Sequence, residues 1–351
     1  MATDPSTGLP PITAADPPAG FMLASCAIFS VRAMSDVLAV NAAHLTKTYG
    51  SLTAVDDITV QVAQGEVYGI LGPNGAGKTT FLRMLFGLIR PDSGTLEVFG
   101  RSWQRHGVSS LSGVAGFIES PKFYPALSGR RNLRLLAGLD GGGAAGRIDE
   151  VLDVVGLTAR QQDKVRGYSF GMRQRLGVAS ALLRDPRLLV LDEPANGLDP
   201  AGIRDMRALV RRLADTGLTV LLSSHDMGEV EQICDNVTIM KSGAVVHHGS
   251  IAALRKLAPE QAHRITTTDD DQAADLARTR GLEVTTTDDG LDVRGPQKDV
   301  DALIADIVDA SIALRGLNRD ETPLEALFFM LTESAPAGPP AGFDAATGAR
   351  R

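Results

Sequence analysis

Nine consecutive residues hold the densest chemistry in the chain: Gly72, Pro73, Asn74, Gly75, Ala76, Gly77, Lys78, Thr79 and Thr80. They fill every fixed position of the pattern GxxxxGK(S/T). An apolar run at 67–71 precedes them, and the following Phe81-Leu-Arg-Met-Leu-Phe86 reads as a helix. The order is therefore strand, glycine-rich loop, helix. Such a loop turns backbone N–H groups inward around a phosphate, a conformation that side chains at Gly75 and Gly77 would obstruct. The new helix adds the positive end of its dipole. Lys78 reaches the β- and γ-phosphates as a point charge, and the Thr79 hydroxyl can ligate Mg²⁺. A chance glycine turn is the plain alternative. With strand and helix both in place, the loop reads as a site for a nucleoside triphosphate.

A phosphate loop alone does not separate kinases, GTPases and transport ATPases, so the remaining chemistry must decide. Leu188-Leu-Val-Leu-Asp192-Glu193-Pro194 is an apolar strand ending in two adjacent acids. Neighbouring side chains on a strand point in different directions, so the pair can divide labour. Asp192 would face the Mg²⁺ shell, and Glu193 the γ-phosphate and the attacking water. Next in importance is Tyr168-Ser169-Phe170-Gly171-Met172-Arg-Gln-Arg-Leu176, a Ser-capped helix start. Met172, Leu176, Ala179 and Leu183 follow helical spacing and should pack into a core. The N-terminus of that helix is left to offer N–H groups and the Ser169 hydroxyl to a second anion.

Over roughly residues 37–250 the chain resembles the ATP-binding subunits of ABC transporters, a resemblance carried by these motifs in order. The family's LSGGQ signature aligns with Tyr168-Ser169-Phe170-Gly171-Met172, ahead of the Asp-Glu strand. The resemblance implies that Tyr49 stacks on adenine and that Asn196-Gly-Leu-Asp199 is the loop crossing a dimer interface. It makes His225, after Ser224 at a strand end, the γ-phosphate sensor; a lone histidine there would otherwise be structural. Glu119, in Gly116-Phe-Ile-Glu119-Ser-Pro, stands where most members have a glutamine near the metal. It still offers an oxygen to Mg²⁺ but adds a negative charge. Phe170 and Met172 replace the first glycine and the glutamine of the signature, while Ser169 and Gly171 keep its main phosphate donors. These departures, with Phe123-Tyr-Pro125 and Ser128-Gly-Arg-Arg-Asn132, resemble a branch of bacterial exporters of peptide and polyketide antibiotics.

The resemblance implies a P-loop NTPase of the α/β class with ATP and Mg²⁺ as cofactors. Two copies would sandwich each nucleotide between one phosphate loop and the other chain's Ser169, Gly171 and Met172. Residues 117–132 would grip a separately encoded membrane permease, placing the protein on the cytoplasmic face of the membrane. The alternatives are a non-transport ABC ATPase and an ATP-dependent regulatory module. Fewer than 100 residues separate Thr80 from Tyr168, too few for the inserted coiled coil of chromosome-type members.

Elements able to position these residues can be read directly. Strands are expected at 37–42, 54–62, 67–71 and 95–99, with turns at Gln64-Gly65 and at 91–94. Residues 130–185 read as mainly helical. Strands at 188–191, 219–223 and 237–240 then alternate with helices at 200–214 and from Met227, which implies a parallel sheet binding phosphates at its strand ends. After about 252 the order becomes strand 263–268, helix 271–280, strands 282–287 and 290–295, helix 297–309 and strand 311–318. That β-α-β-β-α-β order is the ferredoxin-like arrangement of a small α+β module. A last helix is expected at 322–332. The expected divisions are a disordered 1–35, an ATP-binding domain at 36–252 with a helical subdomain at about 120–185, an accessory module at 253–334 and a disordered 335–351.

Composition bounds the rest. The chain has 351 residues, room for two domains, with 44% hydrophobic and 22% charged residues. A net charge of −7 without a long Lys/Arg block argues against a nucleic-acid partner. Cys26 and Cys234 cannot make a disulfide framework, which suits a reducing cytosol. The apolar run at 21–31 falls short of the roughly 20 residues a span needs. It also lacks the basic residues that precede a signal-peptide core. Translation is expected to begin at Met34. Asp269, Asp270, Asp271, Asp288 and Asp289 read as turn and solvated-face residues, and His247-His248 as a strand end.

Overall fold

Apolar side chains alternate along the central strands, and this alternation divides the core in two. The computed structural model describes residues 38–139, 142–287, 289–319 and 322–333, all within one unit, 34–351. The expectations for 1–35, for Met34 and for 335–351 lie outside the described residues.

The chain opens with the antiparallel hairpin of β1 (Val40–Tyr49) and β2 (Leu52–Val62), then β3 (Val67–Leu71) and α1 (Lys78–Leu85). β4 (Ser93–Val98) and β5 (Arg101–Ser102) complete a four-stranded sheet of order β2-β1-β4-β5. After the short helix α2 (Trp103–His106) come β6 (Val114–Phe117), α3 (Gly129–Leu139), α4 (Ile148–Val154) and α5 (Phe170–Leu182). Strands and helices then alternate as β7 (Leu188–Asp192), α6 (Pro200–Asp215), β8 (Thr219–Ser224), α7 (Met227–Ile233) and β9 (Asn236–Lys241). β10 (Ala244–Ser250) turns back antiparallel on β9. The resulting sheet has the order β10-β9-β3-β8-β7-β6 and is otherwise parallel.

In this sheet Tyr68, Ile70, Leu188, Val190 and Leu221 face α1 and the hairpin sheet. Val67, Leu71, Leu189, Leu191, Val220 and Leu222 face α5, α6 and α7. Strands buried on both faces read as continuous apolar runs, as 188–191 does. The helices start at side-chain caps: Ser169 for α5, Asp199 with Pro200 behind it for α6, and Asp226 for α7. α7 packs on β3 at Gly69, where a Cβ would stand 3.0 Å from Cys234 Sγ. Cys234 is buried, and burial pushes its thiol well above the usual range, so it is an inert core group.

α8 (Ile251–Leu257) was not anticipated, and it crosses the boundary expected at 252. Its Ile251 and Leu254 belong to the core of the nucleotide-binding half. Beyond it lie β11 (Ala262–Thr267), α9 (Asp270–Thr279), β12 (Glu283–Thr287), β13 (Gly290–Arg294), α10 (Gln297–Asp309) and β14 (Leu314–Arg319). They form an antiparallel sheet of order β12-β13-β11-β14 with a core of its own, in which Ile265, Leu291, Val300 and Leu303 are fully buried. Asp269 caps α9, and His247 and His248 lie within β10 rather than at its end.

α11 (Pro323–Glu333) returns to the first half. It begins with a reciprocal cap in which Thr322 N donates to Glu325 Oε2 (2.8 Å) and Glu325 N to Thr322 Oγ1 (3.3 Å). Its Leu324, Leu327 and Phe328 join Met227, Val230 and Ile233 of α7 in one cluster. Each such side chain contributes about 1.5–3 kcal/mol, more than the 0–1 kcal/mol or so of a surface ion pair. Packing therefore holds α11 against α7. We expect Phe328→Ala to cost about 3 kcal/mol, read as a lowered urea midpoint of the unit containing α7. An unchanged midpoint would mean that α11 does not dock.

Candidate functional site

Four parallel strands deliver the chemistry. The C-terminal ends of β3, β8, β7 and β6 lead into the phosphate loop, Ser224-His225, Asp192-Glu193 and Glu119 respectively. This is the edge at which open α/β sheets bind ligands.

Glycines make the loop possible for reasons that differ by position. Gly77 has φ +104°, and a Cβ there would lie 2.3 Å from the Ala54 carbonyl oxygen. Gly75 has φ +83° with open space beside it, so there the backbone conformation alone demands glycine. Gly72, the first fixed glycine of the pattern, would place a Cβ 2.4 Å from the Met240 carbonyl oxygen, a steric reason that only the fold reveals. Lys78, at the start of α1, is 5% exposed. Its ammonium donates to the carbonyl oxygens of Gly72 (2.7 Å) and Pro73 (3.3 Å) and pairs with Glu193 Oε1 at 3.2 Å.

Asp192 is held from three sides. Ser223 Oγ donates to its Oδ1 at 2.5 Å, Thr79 Oγ1 to Oδ2 at 3.1 Å, and the Glu119 amide to Oδ2 at 3.4 Å. Glu193 leaves the strand at φ +46°, so a left-handed residue, beyond simple strand alternation, separates the two acids. That conformation costs a non-glycine residue roughly 1–3 kcal/mol, and its N–H is taken by Ser223 Oγ at 3.0 Å. Glu193 Oε2 accepts from Asn196 Nδ2 (2.9 Å) and lies 3.2 Å from His225 Nδ1. Glu119 likewise has φ +62°, and its carboxylate pairs with Arg83 at 2.6 Å. The negative charge expected from Glu119 thus has a cationic partner one helical turn beyond Thr79. Thr79, Glu119, Asp192, Glu193 and Asn196 line a cleft of about 470 Å³, closed on one side by Phe170 and Gln174 of α5.

The other expected site residues sit apart. Among the described residues no hydrogen bond joins Ser169, Gly171 or Met172 to the phosphate loop. Ser169 Oγ accepts from Met172 N at 3.2 Å, while the Met172 side chain is buried in the core. Asp199 Oδ1 accepts from Gly202 N at 3.0 Å and so caps α6. Tyr49 closes β1 with its ring 46% exposed beside Leu52, and Lys47 Nζ stands 5.6 Å from the ring centre. Sequence reasoning missed Ser223, Arg83 and Gln174, and read Asn196 only as part of an interface loop rather than as a partner of Glu193. Arg83 was within reach, being four residues beyond Thr79 on the same helical face. Ser223 was not, because its role depends on the register that sets it against Asp192.

An oxygen-donor set of one hydroxyl and one carboxylate, already in contact at Thr79 and Asp192, suits a hard divalent cation such as Mg²⁺. The loop, with left-handed Gly75 and Gly77 and the Lys78 ammonium beside it, suits a polyphosphate.

Residues 55–196 match the family described as ABC transporter. The chain is 46% identical to the "Bacitracin transport ATP-binding protein BcrA" of Bacillus licheniformis over 213 residues, 60% of this chain and 70% of that one. It is 33% identical to the "Linearmycin resistance ATP-binding protein LnrL" of Bacillus subtilis (strain 168) over 302 residues, 83% of this chain and 97% of that one. The latter match is too long to fit within residues 1–252, so the likeness continues into the C-terminal part. A solved structure described as "Structure of ATP binding subunit of ABC transporter" superposes with a TM-score of 0.55 at 28% identity, covering 62% of this chain and 92% of that one.

Behind His225, Glu229 of α7 is buried and accepts from Ser224 Oγ at 2.8 Å. Burial raises its carboxyl above the ordinary 4.5, the Ser224 hydrogen bond opposes this, and Asp226 adds to it. The folded state therefore binds the Glu229 proton more tightly than the unfolded chain does. Its stabilising contribution is complete below 4.5 and is lost as pH rises through the raised folded value. Glu229→Gln keeps an acceptor for Ser224 and removes the ionisation. We expect its urea midpoint to exceed that of the wild type at about pH 8 and to approach it as the pH falls toward 4.5. A constant difference across that range would reject the assignment.

Proposed function

Because the chain belongs to the ATP-binding proteins of ABC transporters, we propose that it hydrolyses ATP on the cleft between the phosphate loop and Glu193, and so powers export through a separate membrane permease. The observation that carries this reading is the position of Glu193, whose carboxylate meets Lys78 on one oxygen and Asn196 and His225 on the other. The convergence of these side chains supports Glu193 as the base, Lys78 as the phosphate-binding cation and His225 as the γ-phosphate sensor. The kinship with relatives named for bacitracin transport and linearmycin resistance supports an antibiotic as the exported compound.

In this reading Lys78 and the loop amides hold the β- and γ-phosphates, and Tyr49 with Leu52 offers the apolar surface on which adenine stacks. Thr79 and Asp192 would hold Mg²⁺, with Glu119 beside them; when bound, the ion neutralises charge on the phosphate oxygens. Glu193 orients the attacking water and takes its proton. His225, 3.2 Å from Glu193, donates toward the γ-phosphate. Ser169 keeps a hydroxyl hydrogen to give while its oxygen caps α5, and the α5 N-terminus carries the dipole's positive end. A second copy placed head to tail would receive this end on its own nucleotide, with Asp199 at the shared interface. Loss of the γ-phosphate removes the charge that draws the two copies together.

The permease would meet the far side of the helical region. A cleft of about 250 Å³ there is lined by Phe86, Leu111, Leu136, Leu139 and Leu183. Tyr124, within residues 117–132, and Leu139, on the rim of this cleft, stand 66% and 84% exposed. Among the described residues no helix is long and apolar enough to cross a membrane; kinship with transport ATP-binding proteins supports a separate partner for the pore, with this chain on its cytoplasmic side. The four-stranded C-terminal module, with ferredoxin-like element order, would steady α7 through α11.

The test is steady-state hydrolysis with Glu193→Gln. We expect turnover to fall by about 10²–10⁴-fold, with MgATP affinity retained and dimer formed under MgATP by light scattering. Equal rates would remove Glu193 as the base. A variant that stayed monomeric with MgATP, alone and with its permease, would remove the shared-nucleotide reading.

A further inference from the structure

Helix α5 carries a buried amide that the roles above leave unused. Gln174 is 3% exposed, and its side-chain oxygen has no hydrogen-bond partner. A buried acceptor without a partner is uncommon in a settled fold and asks for a reason. Gln174 lines the cleft whose other walls include Thr79, Glu119, Ser120, Asp192 and Glu193.

Its position follows from a glycine three residues further along. At Gly177 a Cβ would stand 2.6 Å from Pro121 Cγ and 3.2 Å from Phe117 Cε1, so the segment bearing Glu119 lies directly on α5 there. Residues three apart share a helical face, which brings Gln174 beneath the same segment. The charged groups lining this cleft are all carboxylates: Glu119, Asp192 and Glu193. Thr79 donates to Asp192, Asn196 to Glu193 and Arg83 to Glu119, and no side chain of the cleft donates to the Gln174 oxygen. A hydrated divalent cation satisfies such a set together, because Mg²⁺ keeps several of its waters and these donate hydrogen bonds outward.

We propose that Gln174 is a positioning residue for the divalent cation, its amide oxygen accepting a hydrogen bond from a water bound to the ion that Thr79 and Asp192 would hold. The inference rests on the nucleotide reading above. It gives α5 two duties: its first turn faces the partner's nucleotide, and the next turn touches the metal shell of its own chain. The signature end of the helix then registers whether its own site carries a cation.

Mn²⁺, which takes the same oxygen ligands, serves as the probe. Mn²⁺ binding to the full chain with ATP is followed by electron paramagnetic resonance, and ATP affinity is measured separately in EDTA. We expect Gln174→Leu to weaken Mn²⁺ about tenfold with ATP affinity in EDTA unchanged and the melting temperature equal or higher, since an orphaned acceptor has been removed. Gln174→Glu should bind Mn²⁺ at least as tightly as the wild type. An amide with a purely structural role would give the reverse, a lowered melting temperature and unmoved Mn²⁺ affinity in Gln174→Leu, and would overturn the proposal. Should Gln174→Leu fail to fold, Gln174→Glu decides: weaker Mn²⁺ binding than the wild type would overturn it. Wild-type protein that bound no Mn²⁺ with ATP would overturn the nucleotide reading itself, a result distinct from all of these.

Discussion

One hydroxyl fixes the two acids on which the cleft depends. Ser223 Oγ donates to the Asp192 carboxylate and accepts from the Glu193 amide, so the end of β8 holds both residues at the end of β7. The contact exists because Asp192 and Ser223 are paired in the parallel register of these strands. A slip of one residue would turn every side chain of β7 to the other face and exchange the two halves of the core. Burial of Leu188 and Val190 on one side and Leu189 and Leu191 on the other enforces the register. Packing across the sheet thus sets distances at its edge, and the left-handed turn at Glu193 is tolerated because both strands grip it.

Much of this was legible in the residues themselves. β3 and α10 fall where periodicity put them, and Lys78 and His225 both contact Glu193 at the end of the Asp-Glu strand. Local signals sufficed there, because a glycine loop between strand and helix or a continuous apolar strand needs no distant partner to be recognised. The β1 strand is longer than 37–42 foretold, running to Tyr49, because its polar second half is held by β2 and by Asp92, which accepts from Lys47 and Thr48. The extent of β10, of which only a strand end at His247-His248 was read, and the whole of α8 were missed for a related reason. Their sequence is short and mixed, and what fixes them is β9 beside them and the core beneath Ile251 and Leu254. The orphaned oxygen of Gln174 was out of sight, since it depends on where the 117–121 segment settles; Arg83 could be placed on the Thr79 face, but its pairing with Glu119 depends on that same segment.

The C-terminal part shows how a module can keep its own core and still belong to its neighbour. Ile265, Leu291 and Leu303 belong to a cluster made of the module's own residues, whereas Leu324, Leu327 and Phe328 of α11 join the cluster that holds α7. α7 begins at Asp226, immediately after His225, and its N-terminal cap is close enough to α11 that a Cβ on Gly228 would stand 3.4 Å from Glu325 Oε1. A displacement of α11 would reach the histidine through a single helix seven residues long.

Lys78 has three hydrogens to give, and the protein's own atoms already engage them: two main-chain oxygens of the loop and the carboxylate across the cleft. Any incoming anion must therefore dislodge a tether that is internal to the chain before it gains the ammonium. In the proposed reading a phosphate would replace one or more of these contacts, so the tether that keeps a desolvated cation satisfied is also what the ligand would have to match.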